Sequence, residues 1–245
     1  MTKDYKGRLW IGCTVILGIL LATPLLKGCA LDPFEEFETP FNRDPNESLL
    51  DITTTYCELS PDGEYSEEYV VESGEKNEVF FAQGGGCILR PIREVWAMMH
   101  NMDLMLWEDT TRFTVNQGSP PSGSSHHYKI NYVVEQSIGG ASWTMDWFHS
   151  VTWGTLAQPG QVLVNYQKTA GTTHIKIWEG SILLEEVDEK VTGFAAIDNI
   201  KGSSLSGIDV SKPLGAVKDL YDKLRTKSDR FSDRNKEPNY EAINP

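Results

Sequence analysis

The stretch SKPLGAVKDLYDKLR, residues 211–225, predicts the helix around which the rest of the chain is organised. Its apolar side chains recur at steps of three and four residues, which places them in one stripe along a helix. They are Leu214, Val217, Leu220, Tyr221 and Leu224. Ser211 is a suitable N-cap, and Pro213 falls in the first turn, where a missing N–H costs little. A helix with a single apolar stripe must pack against another layer.

The hundred residues before this helix indicate an antiparallel sheet. Two stretches alternate apolar with polar residues, as strands with one buried face do. Their apolar positions are Tyr128, Ile130, Tyr132 and Val134 in the first, and Trp143, Met145, Trp147 and His149 in the second. Turn signals then separate further strands over residues 161–168, 173–187 and 190–200. The connections are too short for crossover helices, so the strands form an antiparallel meander with one aromatic face.

Shorter elements precede the meander. Short strands are expected over 52–57 and 69–71, with a turn at 61–63 between them, and a strand over 78–83 ends in a flexible bend at Gly84–Gly86. Helical spacing of apolar residues predicts a helix over 91–101 and a shorter one over 104–108.

Two local motifs resemble a known superfamily. The pairs Pro91-Ile92 and Val95-Trp96, followed by Asp103 and Trp107, are similar to the opening of the first helix in START-like or SRPBCC proteins, the polyketide cyclase/dehydrase and lipid-transport group. Gly180 within WEGSILLEEV resembles the glycine-containing strand of that group. The resemblance covers about residues 79–227. It implies an α+β helix-grip fold, in which a curved antiparallel sheet wraps around a long C-terminal helix.

The same resemblance implies a cavity between sheet and helix for an apolar ligand. The candidate cavity residues are Tyr128, Ile130, Tyr132, Trp143, Met145, Trp147, His149, Ile177, Leu214, Val217, Leu220, Tyr221 and Leu224. We expect the C-terminal helix to lie in the grip of the sheet that carries Tyr132, Trp143 and Trp147. On that face His149 either orients the headgroup of a ligand or is a hydrogen-bonded core histidine.

No catalytic or metal-binding pattern stands out. Asp146 and His149 are three residues apart, which puts them on opposite faces of a strand and argues against an acid–base dyad. The adjacent His126 and His127 also point to opposite faces and cannot share a metal ion. We therefore predict no catalytic residue, no metal and no cofactor. A formal charge of −13 excludes nucleic acid as a partner.

The N-terminal residues have the pattern of a targeting segment. Lys3, Lys6 and Arg8 precede an uncharged run of 18 residues, 9–26, as in a secretory segment. The next residues, LKGC at 26–29, resemble the lipobox of bacterial lipoproteins. That resemblance implies removal of residues 1–28 as a signal peptide and acylation of Cys29, with palmitate as the acyl group. An uncleaved signal anchor is the alternative, since 18 apolar residues just span a bilayer.

Both alternatives place the body of the protein outside the cytoplasm, as a periplasmic or outer-membrane lipoprotein or an anchored protein. Residues 29–50 are an acidic, proline-rich spacer, residues 51–228 the START-like domain, and residues 229–245 a disordered polar tail. In an oxidising compartment Cys57 and Cys87 are expected to form a disulfide; free buried thiols are the alternative.

Three functions compete at this point. The leading hypothesis is a membrane-tethered, extracytoplasmic lipoprotein that binds, carries or senses a lipid-like or other apolar ligand. The second is a structural envelope lipoprotein that docks a protein partner without a ligand. The third and weakest is a cyclase-like or hydrolytic enzyme, for which no acid–base pair is visible in the sequence.

Overall fold

The computed structural model describes residues 56–76, 78–101, 110–135, 140–203 and 206–226, together with a two-residue strand at Glu35–Glu36. The signal peptide, Cys29, the rest of the spacer, the short helix at 104–108 and the tail at 229–245 lie outside the described residues. Within the described parts, no helix is both long and apolar enough to cross a membrane.

In these parts of the chain nine strands and two helices follow one another. They are β1 (Glu35–Glu36), β2 (Val70–Lys76), β3 (Val79–Ile88), α1 (Ile92–Met99), β4 (Arg112–Gly118), β5 (His126–Glu135), β6 (Gly140–Gly154), β7 (Pro159–Gly171), β8 (Ile175–Asp188), β9 (Val191–Gly202) and α2 (Ser211–Thr226). Both α1 and α2 lie where helical spacing predicted a helix. Strand β4 was not predicted, although Phe113 and Val115 alternate with polar residues in it.

The strands form one antiparallel sheet in the order β2-β3-β9-β8-β7-β6-β5-β4, and β1 pairs with the end of β7. From β4 to β9 each strand pairs with the next along the chain, which confirms the predicted meander. The last strand, β9, then pairs with β3 and brings the N-terminal strands to the far edge. The result is an α+β arrangement consistent with the helix-grip fold.

Both helices pack on the same face of the sheet, which we call the inner face and which holds the main hydrophobic core. Helix α1 lies against β7, β8 and β9, whereas α2 lies against β2, β3 and β9. The helix α2 thus packs on the sheet that carries Tyr132, Trp143 and Trp147, as expected, although its contacts are with strands at the other end of that sheet from β5 and β6.

Three glycines of β3 explain where α2 packs. The strand continues through Gly84–Gly86 instead of bending there: all three residues pair with β9, and Gly84 and Gly85 also pair with β2. A Cβ atom at Gly84 would lie 2.6 Å from the hydroxyl oxygen of Tyr69, and one at Gly86 would lie 3.1 Å from that of Tyr221. The two tyrosine rings stack 4.5 Å apart in the space that the missing side chains leave. Tyr221 also donates a hydrogen bond to the carbonyl of Cys87, at 2.7 Å.

On the outer face a disulfide attaches the segment before β2 to the sheet. Cys57 and Cys87 are bonded, as predicted, and both side chains are buried beside Val191. The bond joins residues 30 positions apart in the sequence. Closing a loop of that length contributes on the order of 3 kcal/mol by restricting the unfolded chain.

Candidate functional site

The inner face of β5 and β6 carries the side chains that alternation predicted for it. Val134 is half-buried against the core, and the other seven are buried: Tyr128, Ile130, Tyr132, Trp143, Met145, Trp147 and His149. The register of the two strands places Tyr128 opposite Trp147 and Tyr132 opposite Trp143. The ring of Trp147 stacks on that of Tyr166 in β7, with centroids 4.4 Å apart. These strands therefore present a continuous aromatic wall, and its role in holding a ligand stays a prediction.

The candidate residues of α2 lie farther along the same core. Val217, Tyr221 and Leu224 are buried, and Leu214 and Leu220 are half-buried against it. They close the end of the core formed by β2, β3 and β9. Their proposed contact with a ligand is likewise a prediction.

Ile177 does not belong to the inner face. Its side chain is 38% exposed, whereas Trp178 beside it is buried. The register between β8 and β9 shifts between Ile175 and Ile177, so a β-bulge reverses the alternation at this point. The prediction of Ile177 as a candidate cavity residue was therefore wrong, because the extra residue turns its side chain toward solvent.

Three histidines meet at one end of the inner face, and we call them the histidine cluster: His100, His126 and His149. His126 and His149 are paired across β5 and β6. His100, just past the end of α1, stacks on His149 with ring centroids 4.8 Å apart and lies 4.6 Å from the ring of His126. His149 is 1% exposed, and the other two are half-buried. The cluster thus extends from the core toward the surface.

Two aromatic side chains fix the orientation of the cluster. The indole Nε1–H of Trp96, on α1, donates a hydrogen bond to His149 Nδ1 at 3.2 Å. Because an indole nitrogen only donates, Nδ1 of His149 is unprotonated and the neutral ring carries its proton on Nε2. The hydroxyl of Tyr128 lies 2.8 Å from Nδ1 of His100. No described residue forms a hydrogen bond with the buried Nδ1 of His126.

Burial keeps these imidazoles uncharged. It lowers the pKa of His100 to about 3, with a further contribution from His126. Burial also lowers the pKa of His126, and it lowers that of His149 well below its ordinary value. At neutral pH the cluster therefore offers neutral nitrogen atoms that donate or accept hydrogen bonds.

Asp146 has no part in this cluster. Its Oδ1 lies 2.9 Å from Nε2 of His127. The pair lies on the outer face, away from His149, as the odd spacing of the residues predicted. His126 and His127 also point to opposite faces, as expected. Among the described residues, no group of three His, Cys, Asp or Glu side chains is placed to hold a metal ion.

A second polar site lies deeper under the sheet, and we call it the acid site: Asp198, Tyr166 and Trp178. Asp198 is fully buried. Its Oδ1 accepts a hydrogen bond from the Tyr166 hydroxyl at 2.5 Å and another from the Trp178 indole at 3.1 Å. Burial raises the pKa of Asp198 to about 7. Both hydrogen bonds come from aromatic side chains, so this inward carboxyl does not form a dyad with a histidine.

The acid site depends on Gly180. Tyr166 in β7 and Asp198 in β9 are separated by β8, where Gly180 pairs with both. A Cβ atom at this position would lie 2.2 Å from the hydroxyl oxygen of Tyr166. Only a glycine lets the tyrosine cross β8 and reach the carboxyl. The sequence had singled out Gly180 for its resemblance to a family motif, but not for this contact.

Sequence reasoning missed both sites as groupings of residues. His126 and His149 are equidistant from the centre of the β5–β6 connection, so the register of that hairpin was a usable signal. His100 follows a helix, and Asp198 is one strand from Trp178 and two strands from Tyr166, so no local pattern points to either residue.

No protein-family model and no curated protein sequence matches the chain. Several solved structures have a similar backbone path. The human StarD13 lipid transfer and protein localization domain aligns with 78% of this chain and 98% of its own, at 11% identity and a TM-score of 0.48. The Zhui aromatase/cyclase from Streptomyces sp. R1128 aligns with 64% of this chain and 97% of its own, at 12% identity and a TM-score of 0.41.

A STAR-related lipid transfer protein from Xanthomonas axonopodis aligns with 66% of this chain and 97% of its own, at 10% identity and a TM-score of 0.46. The strand order of this chain, with both helices on one face of the sheet, is consistent with the START-like resemblance of the sequence. At these identities the likeness is one of fold alone, and the function must be argued from the residues of this chain.

Proposed function

We propose that this protein binds an apolar molecule under its sheet, with the polar group of that molecule at the histidine cluster. The observation that supports this most directly is the unpartnered, buried Nδ1 of His126 beside two further neutral imidazoles. Buried polar atoms in folded proteins nearly always have a hydrogen-bond partner. A ligand group at this position supplies the missing one.

Two more polar atoms of the inner face support a ligand. The indole Nε1 of Trp143 and the hydroxyl of Tyr69 are buried, and no described residue forms a hydrogen bond with either. Trp143 itself stacks between Tyr132 and Trp178. A purely structural core would leave these donors unsatisfied at a cost of about 1–3 kcal/mol each.

The cluster selects for the kind of polar group. Its imidazoles are neutral, and no described Asp, Glu, Lys or Arg has a hydrogen bond with the ring of His126 or His149. A charged headgroup would therefore be desolvated without a counter-ion. A hydroxyl, a carbonyl or a protonated carboxylic acid can form a hydrogen bond with a neutral imidazole, so that neither group is left without a partner. We therefore assign to the ligand an apolar body with an uncharged hydrogen-bonding end.

Native mass spectrometry of the full chain, purified from its own membranes in mild detergent, tests this proposal. We expect a co-purifying apolar molecule with the parent chain. His126→Asn should lower its occupancy, because the amide cannot reproduce the imidazole geometry. His174→Asn is the matched control, since His174 is exposed at the start of β8. A bare protein mass under gentle conditions, or equal occupancy in both variants, contradicts the proposal.

We further propose that the chain is an extracytoplasmic lipoprotein tethered through an acyl group on Cys29. The lipobox-like LKGC at residues 26–29 supports this. Expression in a bacterium fed a clickable palmitate analogue tests it. The parent chain should be labelled and lose residues 1–28, and Cys29→Ser should be neither labelled nor cut. Labelling that persists in Cys29→Ser contradicts the tether but leaves the ligand proposal standing.

A further inference from the structure

Two loops at one end of the sheet lack charged side chains. No Asp, Glu, Lys or Arg occurs from Phe113 to Tyr128 or from Trp147 to Gln167, although 23% of the chain is charged. These two stretches contain the β4–β5 loop, residues 119–125, and the β6–β7 hairpin tip, residues 151–160. We call these two loops together the uncharged end.

Hydrogen bonds join the two loops into one surface. The backbone N–H of Val151 donates to the hydroxyl of Ser125 at 3.4 Å. The hydroxyl of Ser150 donates to that of Ser124 at 3.3 Å. Reciprocal backbone bonds between Thr155 and Gln158, of 3.0 and 3.2 Å, close the hairpin tip. The uncharged end is therefore an ordered surface of the domain.

The hairpin tip presents two large apolar side chains to solvent. Trp153 is 65% exposed and Leu156 is 59% exposed. The ring of Trp153 lies close to the backbone at Gly160, where a Cβ atom would be 2.3 Å from it. The absence of a side chain at Gly160 therefore makes room for the indole, most of which remains exposed. Two large exposed apolar side chains on one uncharged tip form a surface suited to contact with a partner.

We propose that the uncharged end docks on the surface of a lipid bilayer, with Trp153 and Leu156 inserted at the level of the headgroups. Tryptophan concentrates at that level because its ring is apolar and its N–H is polar. The absence of charged side chains removes the largest cost of insertion. The inference is independent of the proposed ligand, although His149 lies directly behind the surface.

The charges that border this surface indicate which lipids it prefers. Gln161 of the hairpin pairs with Glu185 of β8; three more acids, Glu186, Asp188 and Glu189, and one base, Lys190, follow at the end of β8 and in the turn after it. These acids are repelled by an anionic leaflet, and no described basic residue belongs to the uncharged end. Docking should therefore be favoured by zwitterionic lipid and weakened as anionic lipid is added, the opposite of a polybasic surface.

The test uses the full chain reconstituted with phosphatidylcholine vesicles that contain phosphatidylcholine brominated in the upper part of its acyl chains. Bromine quenches the emission of tryptophans within contact distance. We expect the quenching to decrease in Trp153→Phe by the contribution of that residue. The comparison removes the contribution of Trp10 and the other tryptophans, which both proteins share.

Two leucines provide a matched pair of further variants. Leu156→Asp should abolish the quenching that depends on Trp153, because a carboxylate at the tip must be desolvated. Leu59→Asp should leave it unchanged, since Leu59 is similarly exposed, at 56%, but lies far along the chain from the hairpin. Replacing part of the lipid by phosphatidylglycerol should reduce the effect.

Equal quenching of the parent chain and Trp153→Phe overturns the proposal. So does an equal response of the two leucine variants, or stronger quenching in anionic vesicles. If a co-purifying protein is lost in Leu156→Asp while Trp153 shows no quenching by lipid, the surface binds a protein instead and the bilayer proposal is wrong.

Discussion

The histidine cluster and the acid site are two polar groups under one apolar face, and they differ in almost every other respect. The cluster consists of bases at an end of the core that reaches the surface, whereas Asp198 is a single acid with no exposed surface. Burial has the same consequence for both, because it favours the uncharged form: it lowers the pKa of His100 to about 3 and raises that of Asp198 to about 7.

The difference lies in how well each site is satisfied. Asp198 accepts hydrogen bonds from Tyr166 and Trp178, so its carboxyl is built into the core. In the histidine cluster, the buried Nδ1 of His126 has no partner among the described residues. The acid site is therefore structural, and the histidine cluster is the place where a ligand has something to add.

The two sites also respond to pH with opposite signs. Asp198 has a raised pKa in the folded state, so its contribution to stability is complete below the unfolded value of 3.8 and is lost as the pH rises through about 7. The histidines have lowered values, so their contribution is present above the unfolded value of 6.5 and is lost as the pH falls toward 3. Between pH 4 and 6.5 the two effects oppose each other.

The largest effect is expected from Gly180→Ala. The new methyl group would lie 2.2 Å from Tyr166 and 2.5 Å from the carbonyl oxygen of Ile197, so the acid site cannot keep its geometry. We expect the free energy of unfolding to fall by about 3 kcal/mol or more in denaturant titrations.

Gly215→Ala is the control for that substitution. Gly215 lies in α2 with no atom within 4 Å of the added Cβ. There the same change should raise the free energy of unfolding by about 0.5–1 kcal/mol, because alanine favours a helix. If Gly180→Ala is tolerated as well as Gly215→Ala, Tyr166 does not depend on the glycine to reach Asp198.

Asp198→Asn separates the two pH effects. The amide keeps an acceptor for Tyr166 but does not titrate, so the alkaline loss of stability should disappear. Relative to the parent chain, the free energy of unfolding should rise with pH more steeply between pH 4 and 7, by up to about 1.4 kcal/mol per pH unit for one proton. Urea titrations at four pH values measure this, and a slope equal to that of the parent chain means that Asp198 is ionised in the fold throughout this range.

His149→Asn should change the same slope in the opposite direction. Asparagine offers Trp96 an oxygen acceptor near the position of Nδ1 but takes up no proton on unfolding. Below pH 6.5 the free energy of unfolding should therefore fall less steeply on acidification than in the parent chain. At pH 8 the free energy of unfolding of the variant should be about 1 kcal/mol lower, because packing is lost. If the free energy of unfolding falls as steeply below pH 6.5 in the variant as in the parent chain, His149 is not neutral in the folded protein.

The sequence predicted the features that depend on neighbouring residues and missed those that depend on residues far apart in the chain. Alternation is a local pattern, so it identified the inner residues of β5 and β6 correctly, and helical spacing identified α1 and α2. The position of α2 depends on Gly84 and Gly86 beside Tyr69 and Tyr221, which are far apart in the chain. The prediction that three consecutive glycines form a bend was wrong for the same reason. They lie within β3, where the absence of side chains makes room for the two tyrosine rings.

The two polar sites show a further limit. A buried aspartate in a strand has no local signature, because the residues that satisfy it lie on other strands and reach it only through the register of the sheet. The histidine cluster forms because His100, at the end of α1, packs against His126 and His149 of β5 and β6. The START-like resemblance predicted the fold that brings them together, but not which side chains meet.

The smallest effect is expected at the bulge of β8, which sets the face of Trp178 and so the geometry of the acid site. Ile177→Thr should change the free energy of unfolding by less than about 0.5 kcal/mol, because the side chain is 38% exposed. Ile175→Thr, the same substitution two residues earlier, should cost about 2 kcal/mol, because Ile175 is buried in the core. Regular alternation predicts similar costs at both positions, so equal losses would show that the bulge is absent and that Trp178 points away from Asp198.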